Sequence, residues 1–265
     1  MPWDVWNGIP NTEKPKRGDD MDLKELFDTI DSLKAELDTK RPLTSGEAQR
    51  LREEFMVDYT YNSNAIEGNT LTLRETAMVL EGMTIDKKPL KDHLEAVGHR
   101  DAFLYVEDIA KDTEITERVI RHIHSLILID RPNDKGVFRK IPVTIMGAYT
   151  EPVQPYLIEQ KLTELLAENE NRKKHMYPIE RIARFHLEFE GIHPFIDGNG
   201  RCGRLILNLD LIQNGYPAVN VKFTDRQRYY NAFDEFYKNG DISPMAELIG
   251  GYVAERLKQY LDILS

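Results

Sequence analysis

An all-α, mainly helical fold with one small β-hairpin is what the chain predicts, on three observations. Apolar residues recur at spacings of three and four from Leu23 almost to the C-terminus. Threonine–glutamate pairs with capping-box spacing, Thr44 with Glu47 and Thr72 with Glu75, punctuate those stripes. A β-prone run, Pro142–Tyr149, breaks the helical period once.

Residues 1–21 hold Trp3, Trp6, Gly8, Pro10 and Pro15 without a sustained period and form an N-terminal arm. The first helix carries Leu23, Leu26, Phe27, Ile30, Leu33 and Leu37 on one stripe. Thr44 opens a second, with Leu51, Phe55, Tyr59, Asn62 and Ile66 inward and Gly68 as its stop. A short helix follows Thr72 and ends near Gly82, and a long one runs from Pro89 through Leu94, Val97, Ala102, Tyr105 and Ile109. Thr116 caps the next, with Val119, Ile120, Ile123, Leu126 and Ile127. The hairpin at Val143–Tyr149 is flanked by Gly136, Pro152 and Pro155. Helices are then expected at Pro155–Glu170, Pro178–Glu190, Gly200–Asn214, Thr224–Lys238 and Ser243–Leu264. With no repeat and no clean linker, the chain reads as one mainly α domain with an N-terminal helical extension.

The 265 residues are 41% hydrophobic and 30% charged, too apolar for a disordered chain and too polar for a membrane one. No apolar stretch nears about eighteen residues, and Met1-Pro2-Trp3-Asp4 does not open a secretory signal, so a cytoplasmic protein without membrane contact is expected. A single cysteine, Cys202, excludes intramolecular disulfides and cysteine-rich zinc sites. The net charge of −10 argues against a nucleic-acid-binding face, so cations that bind an anion should be gathered in one pocket.

That pocket is expected in Phe185–Arg204. An apolar-striped helix ends at Gly191, a tight loop follows, and Gly200 starts a new helix. Gly198-Asn199-Gly200 can turn successive N–H groups to one side, an anion nest at a helix N-terminus. Arg201 and Arg204, three apart in the first turn, add forked cationic donors. Cations there oppose the helix dipole, so something negative should sit against them. Asp197 offers a hard oxygen for magnesium, and His193, restricted to extended dihedrals by Pro194, can accept a proton near neutral pH. Together these groups describe a phosphoryl- or nucleotidyl-transfer site.

The string His193-Pro194-Phe195-Ile196-Asp197-Gly198-Asn199-Gly200-Arg201-Cys202-Gly203-Arg204 resembles the Fic-domain signature HPFx(D/E)GNGRxxR at every defining position. The resemblance implies a Fic fold with a β-hairpin flap and AMP transfer from ATP to a Ser, Thr or Tyr hydroxyl of a protein. It implies an arm at 1–21, a helical region at 22–88, a catalytic core at 89–240 and a C-terminal helix at 241–265 packed on the core. His193 would be the base and Asp197 the Mg2+ ligand. The backbone of Gly198, Asn199 and Gly200, with the Asn199 side chain, would hold the α- and β-phosphates, Arg201 the β-phosphate and Arg204 the γ-phosphate, with Cys202 and Gly203 between them. The flap at 143–149 would dock a target by strand pairing, and Tyr230 and Asn231 would contact adenine. A homodimer and self-modification are further family expectations, and the nucleotide donor stays open. No winged helix-turn-helix is expected after the last helix, and without that element direct DNA binding is not expected.

Ser63-Asn64-Ala65-Ile66-Glu67-Gly68 resembles the inhibitory motif (S/T)xxxE(G/N) of many Fic proteins. Ser63 and Glu67 share a helical face, and Glu67, at a helix C-terminus, needs a cation. The resemblance names that cation as Arg204, which gives an autoinhibited enzyme, and in some relatives the same glutamate promotes AMP removal. Two other readings stand beside it. One is a metal-dependent hydrolase using histidines with Asp197, although His122 and His124 point to different helix faces. The other is a non-catalytic nucleotide-sensing module, for which His193 would be superfluous.

Overall fold

The computed structural model describes residues 23–145 and 149–264. Among them ten α-helices follow in order: α1 (Leu23–Thr39), α2 (Ser45–Ile66), α3 (Leu73–Leu80), α4 (Leu90–Ile109), α5 (Glu117–Ile127), α6 (Ile158–Arg172), α7 (Pro178–Ile192), α8 (Asn199–Gln213), α9 (Arg226–Asn239) and α10 (Ser243–Ile263). The threonines act as caps. Thr44 and Thr72 each close a reciprocal capping box with the glutamate three residues on, and Thr116 accepts from the Val119 N–H. Prolines shape two starts: Pro155 opens a 3-10 turn before α6, and Pro178 takes the first position of α7. A second 3-10 turn, Phe223–Asp225, precedes α9 where a helix from Thr224 is expected.

Two large apolar clusters meet at the antiparallel pair α7 and α8. On one side Ile182 and Leu187 of α7 and Leu211 of α8 pack with Leu26 and Ile30 of α1 and Ile249, Val253 and Leu257 of α10. On the other, Phe185 and Phe189 of α7 and Cys202, Leu205 and Leu209 of α8 pack with Phe55 and Tyr59 of α2, Phe103 of α4 and Ile120 and Ile123 of α5. A small third cluster, Leu71, Val79 and Ala96, joins α3 to α4. Within this framework Arg181 of α7 makes two 2.6 Å bonds to Asp210 of α8 and one of 2.9 Å to Asn169 of α6, with pair and amide all buried. The α4–α5 crossing is close because Gly98 lacks a Cβ, which would lie 2.5 Å from the Leu126 carbonyl.

The expected hairpin has no strand among the described residues, and its tip, Met146–Ala148, lies outside them, as do the arm at 1–21 and its tryptophans. In place of a ladder between the two limbs, one buried guanidinium bridges them. Arg139 donates to the Ile141 carbonyl at 3.1 Å and to the Val153 carbonyl. Lys238 of α9 lies 3.4 Å over the ring of Tyr149, which ties the far limb to α9.

Candidate active site

The α7–α8 loop is held from both sides. His193 is the C-cap of α7, one residue after Ile192 rather than beyond an end at Gly191; its N–H closes on the Phe189 carbonyl at 3.1 Å. Its dihedrals are left-handed (φ 50°, ψ 61°), not extended as the following proline suggests, because the helix end must reverse there. For a non-glycine residue that conformation is strained. Arg139 supports it, donating from Nε to the His193 carbonyl at 2.7 Å and from Nη2 to that of Ile192 at 3.3 Å.

Beneath the loop, His124 of α5 stacks on Phe195 at 3.6 Å with 4° between the rings. Its Nδ1 accepts from the Gly136 N–H at 2.8 Å, which leaves Nε2 to donate to the Asp197 carbonyl at 2.9 Å. Burial pushes its pKa down to about 4, so it stays neutral and serves as a prop. The Asn199 side chain, expected on phosphate, is instead engaged with the loop. Its Oδ1 accepts from Phe195 N and its Nδ2 donates to Phe195 O, both at 2.9 Å.

Gly198 takes the left-handed conformation (φ 78°) as N-cap of α8, and its N–H donates to Asp197 Oδ1 at 2.6 Å. The next N–H groups of α8 have no intrahelical acceptor. Asp197, one-third exposed, also faces Arg131 at 3.0 Å and Arg201 at 3.6 Å. Among the described residues no three His, Cys, Asp or Glu side chains converge, so a cluster of protein ligands for a hydrolytic metal is not formed there. One hard carboxylate beside a phosphate cradle does fit magnesium, which takes its other oxygens from phosphates and water.

The negative group expected against the arginines is carboxylate. Arg204 is 2% exposed and donates from Nη2 to Glu67 Oε1 at 2.8 Å, to the Ser63 carbonyl at 2.8 Å, and from Nε to Ser63 Oγ at 3.1 Å. Glu67 is the C-cap of α2, reached across 137 residues of sequence. Burial works against the Arg204 charge, but Glu67 together with Tyr229 and Tyr59 more than offsets it, so the pKa stands above the ordinary arginine value. The same carboxylate lies over the start of α8: a Cβ on Gly200 would be 2.4 Å from Glu67 Oε1. Arg201 is buried too, 3.0 Å from Glu95 of α4. Cys202 points into the core.

His193, Gly200, Arg204 and Glu67 line one cavity of about 470 Å³. Tyr229, Tyr230 and Phe233 of α9 wall it, and Ile145 of the flap reaches it. Tyr230 donates to the Ile66 carbonyl at 3.4 Å, on the residue before Glu67. Asn231 does not line the cavity; it is exposed, accepts from Gln227 at 2.9 Å, and leaves Gln227 facing the space. Sequence reasoning missed Glu190, which also lines the cavity. Its Oε1 has no hydrogen-bond partner, and burial pushes its pKa up to about 8 against the pull of Arg204. It lies over Gly203, where a Cβ would come within 2.2 Å of it, and its other oxygen is 3.9 Å from His193 Nδ1. His193 itself is mostly buried, which holds its pKa below the usual imidazole value and leaves it a neutral acceptor near pH 7.

With this geometry in place, residues 114–211 match the Fic/DOC family. The chain carries a Fic domain. Over 249 residues it is 32% identical to the protein adenylyltransferase Fic of Drosophila melanogaster, across 89% of this chain and 50% of that protein. The figures for its namesake in Drosophila persimilis are 32%, 89% and 48%. The chain therefore spans about half the length of the curated relatives it matches. Among solved structures it is similar to a Fic domain containing signaling protein from Bacteroides thetaiotaomicron, with a TM-score of 0.77 at 26% identity over 91% of this chain and 95% of that one. It is also similar to Fic-1 from C. elegans, with a TM-score of 0.81 at 29% identity over 91% of this chain and 72% of that one. The matched Fic span holds His124, Arg139, His193 and Arg204, whereas Glu67, Glu95 and Tyr230 come from helices outside it.

Proposed function

We propose that the chain is an autoinhibited protein adenylyltransferase, moving AMP from ATP to a hydroxyl of a target protein or of itself. One observation carries the reading: a neutral imidazole and a buried arginine face the same cavity, and the arginine is held by a carboxylate from another helix. An arginine poised for phosphate and closed by its own chain is an enzyme site with a brake.

In the forward reaction His193 accepts the proton of the incoming hydroxyl, whose oxygen attacks the α-phosphorus. The bond to the bridging oxygen breaks and pyrophosphate leaves. The free N–H groups at the start of α8 and the two arginines bear the phosphate charge, and orientation in a water-poor cleft supplies much of the rate. Asp197 would hold Mg2+, which supplies neutralisation of the leaving phosphates when bound. Tyr229 and Tyr230 offer aromatic faces to a purine, with Gln227 in the role expected of Asn231. The flap, held by Arg139 beside His193, is where a target segment would pair through its backbone. While Glu67 occupies Arg204, the γ-phosphate has no place there; the same carboxylate is suited to orient a water for AMP removal. We read α4–α9 as the catalytic core, α1–α3 as the region that carries the brake and α10 as its packing partner. A cytoplasmic homodimer is the state we infer for it.

Transfer of label from α-labelled ATP tests the reading. The Glu67→Gly chain should label itself or lysate proteins at least tenfold faster than the parent, roughly the worth of one charge-assisted contact. Adding His193→Ala should abolish labelling while ATP still binds. No labelling by Glu67→Gly would overturn the proposal.

A further inference from the structure

Arg201 and Glu67 are joined by a group that neither motif contains. Glu95, on α4, is buried, and its two oxygens serve different masters. Oε1 lies 3.0 Å from Arg201 Nη1, and Oε2 accepts from Asn69 Nδ2 at 3.0 Å. Asn69 stands two residues past Glu67, across Gly68, whose left-handed backbone (φ 91°) turns the chain off α2. The amide of Asn69 also donates to the Asp92 carbonyl at 3.1 Å, and its backbone N–H to that of Asn64 at 3.1 Å. Asn64 in turn reaches the Glu95 carbonyl at 3.5 Å. Lys91, half exposed, is the other cation on Glu95, at 3.4 Å. Arg201 Nε and Nη1, although buried, have no hydrogen-bond partner, so Glu95 holds this guanidinium as an ion pair without an aligned hydrogen bond and leaves it unsaturated.

We propose that Glu95 is a positioning residue that couples the two signature arginines, holding Arg201 with one oxygen and, with the other, the turn that keeps Glu67 on Arg204. The inference rests on the adenylyltransferase reading above. A phosphate that draws Arg201 toward itself weakens the Arg201–Glu95 pair, and Glu95 then holds Asn69 less firmly. Occupancy at one arginine and release of the brake at the other become one equilibrium. By reciprocity, cutting the Glu95–Asn69 tie must both loosen Glu67 and tighten nucleotide binding.

Asn69→Ala cuts that tie without touching either arginine or Glu67. Asn69→Asp keeps the side-chain shape and the acceptor for the Leu71 N–H but replaces the donor with a carboxylate oxygen that repels Glu95, so it breaks the tie without losing packing. Each is made with Glu67 intact and in the Glu67→Gly chain, and ATP affinity with magnesium is measured by calorimetry alongside label transfer. With Glu67 intact, both substitutions should raise affinity and transfer at least about fivefold. In the Glu67→Gly chain neither should move either quantity as much as twofold. Equal effects in the two backgrounds, which general loosening would give, or no effect with Glu67 intact, overturn the coupling. If Glu67→Gly transfers nothing, the functional reading fails, and the affinities alone still decide whether Glu95 couples the two arginines.

Discussion

Burial, more than neighbouring charge, sets the ionisation of the site's two proton carriers. It lowers His193 from its ordinary 6.5, so the acid limb of the pH–rate profile of the Glu67→Gly chain should have its midpoint below 6.5; a midpoint at or above that value contradicts a buried base. It raises Glu190 from 4.5 to about 8. Below about pH 4.5 that carboxyl is protonated whether the chain is folded or not, and between 4.5 and 8 only the folded chain keeps the proton. Stability should therefore fall as pH rises across that window, by at most about 1.4 kcal/mol per pH unit, and level off above it. Glu190→Gln should flatten the decline in denaturant titrations; a parallel decline in the variant would assign it to another group. His193, Asp197, Arg201 and Arg204 are legible in the sequence because a tight loop between helices leaves few roles for such residues. Glu190 is not: it follows the buried Phe189 and reads as a surface carboxylate until α8 folds across it with a glycine at 203.

At the scale of elements, helices were legible because their signals are local. The cap threonines and the three-four stripes mark starts and buried faces, and the ends fall within a residue or two except at α6, which begins three residues after Pro155 behind a 3-10 turn. The flap was not legible, because what holds its limbs is the side chain of Arg139, which no β-propensity reports. The same arginine bonds the carbonyls of Ile192 and His193, so Arg139→Ala should slow transfer by the Glu67→Gly chain by roughly 10²-fold while ATP affinity changes little; rates equal to the parent's would show that the loop holds itself. The α7–α8 pair depends on Arg181 and Asp210, 29 residues apart. Removing one partner strands a buried charge, so Arg181→Ala should lower the free energy of unfolding by about 3–5 kcal/mol. A loss below about 1 kcal/mol, measured by urea denaturation, would show the pair to be solvated.

Across the whole molecule, the two cores meet on α7 and α8, so the loop between these helices is braced from both sides. The carboxylate that holds Arg204 arrives from α2, which packs into the second core through Phe55 and Tyr59 and ends at the cavity. In a chain with net charge −10, two buried arginines, Arg201 and Arg204, stand together at the start of α8 and are matched there by Glu67, Glu95 and Asp197. Such a cleft binds an added anion only by displacing one of its own. The comparison of ATP with ADP, in the parent and in the Glu67→Gly chain, measures that displacement. If Glu67 holds the arginine that a third phosphate needs, the parent should bind the two nucleotides with nearly equal affinity. The Glu67→Gly chain should prefer ATP by about tenfold or more. The same ATP-to-ADP ratio in both chains would contradict the account.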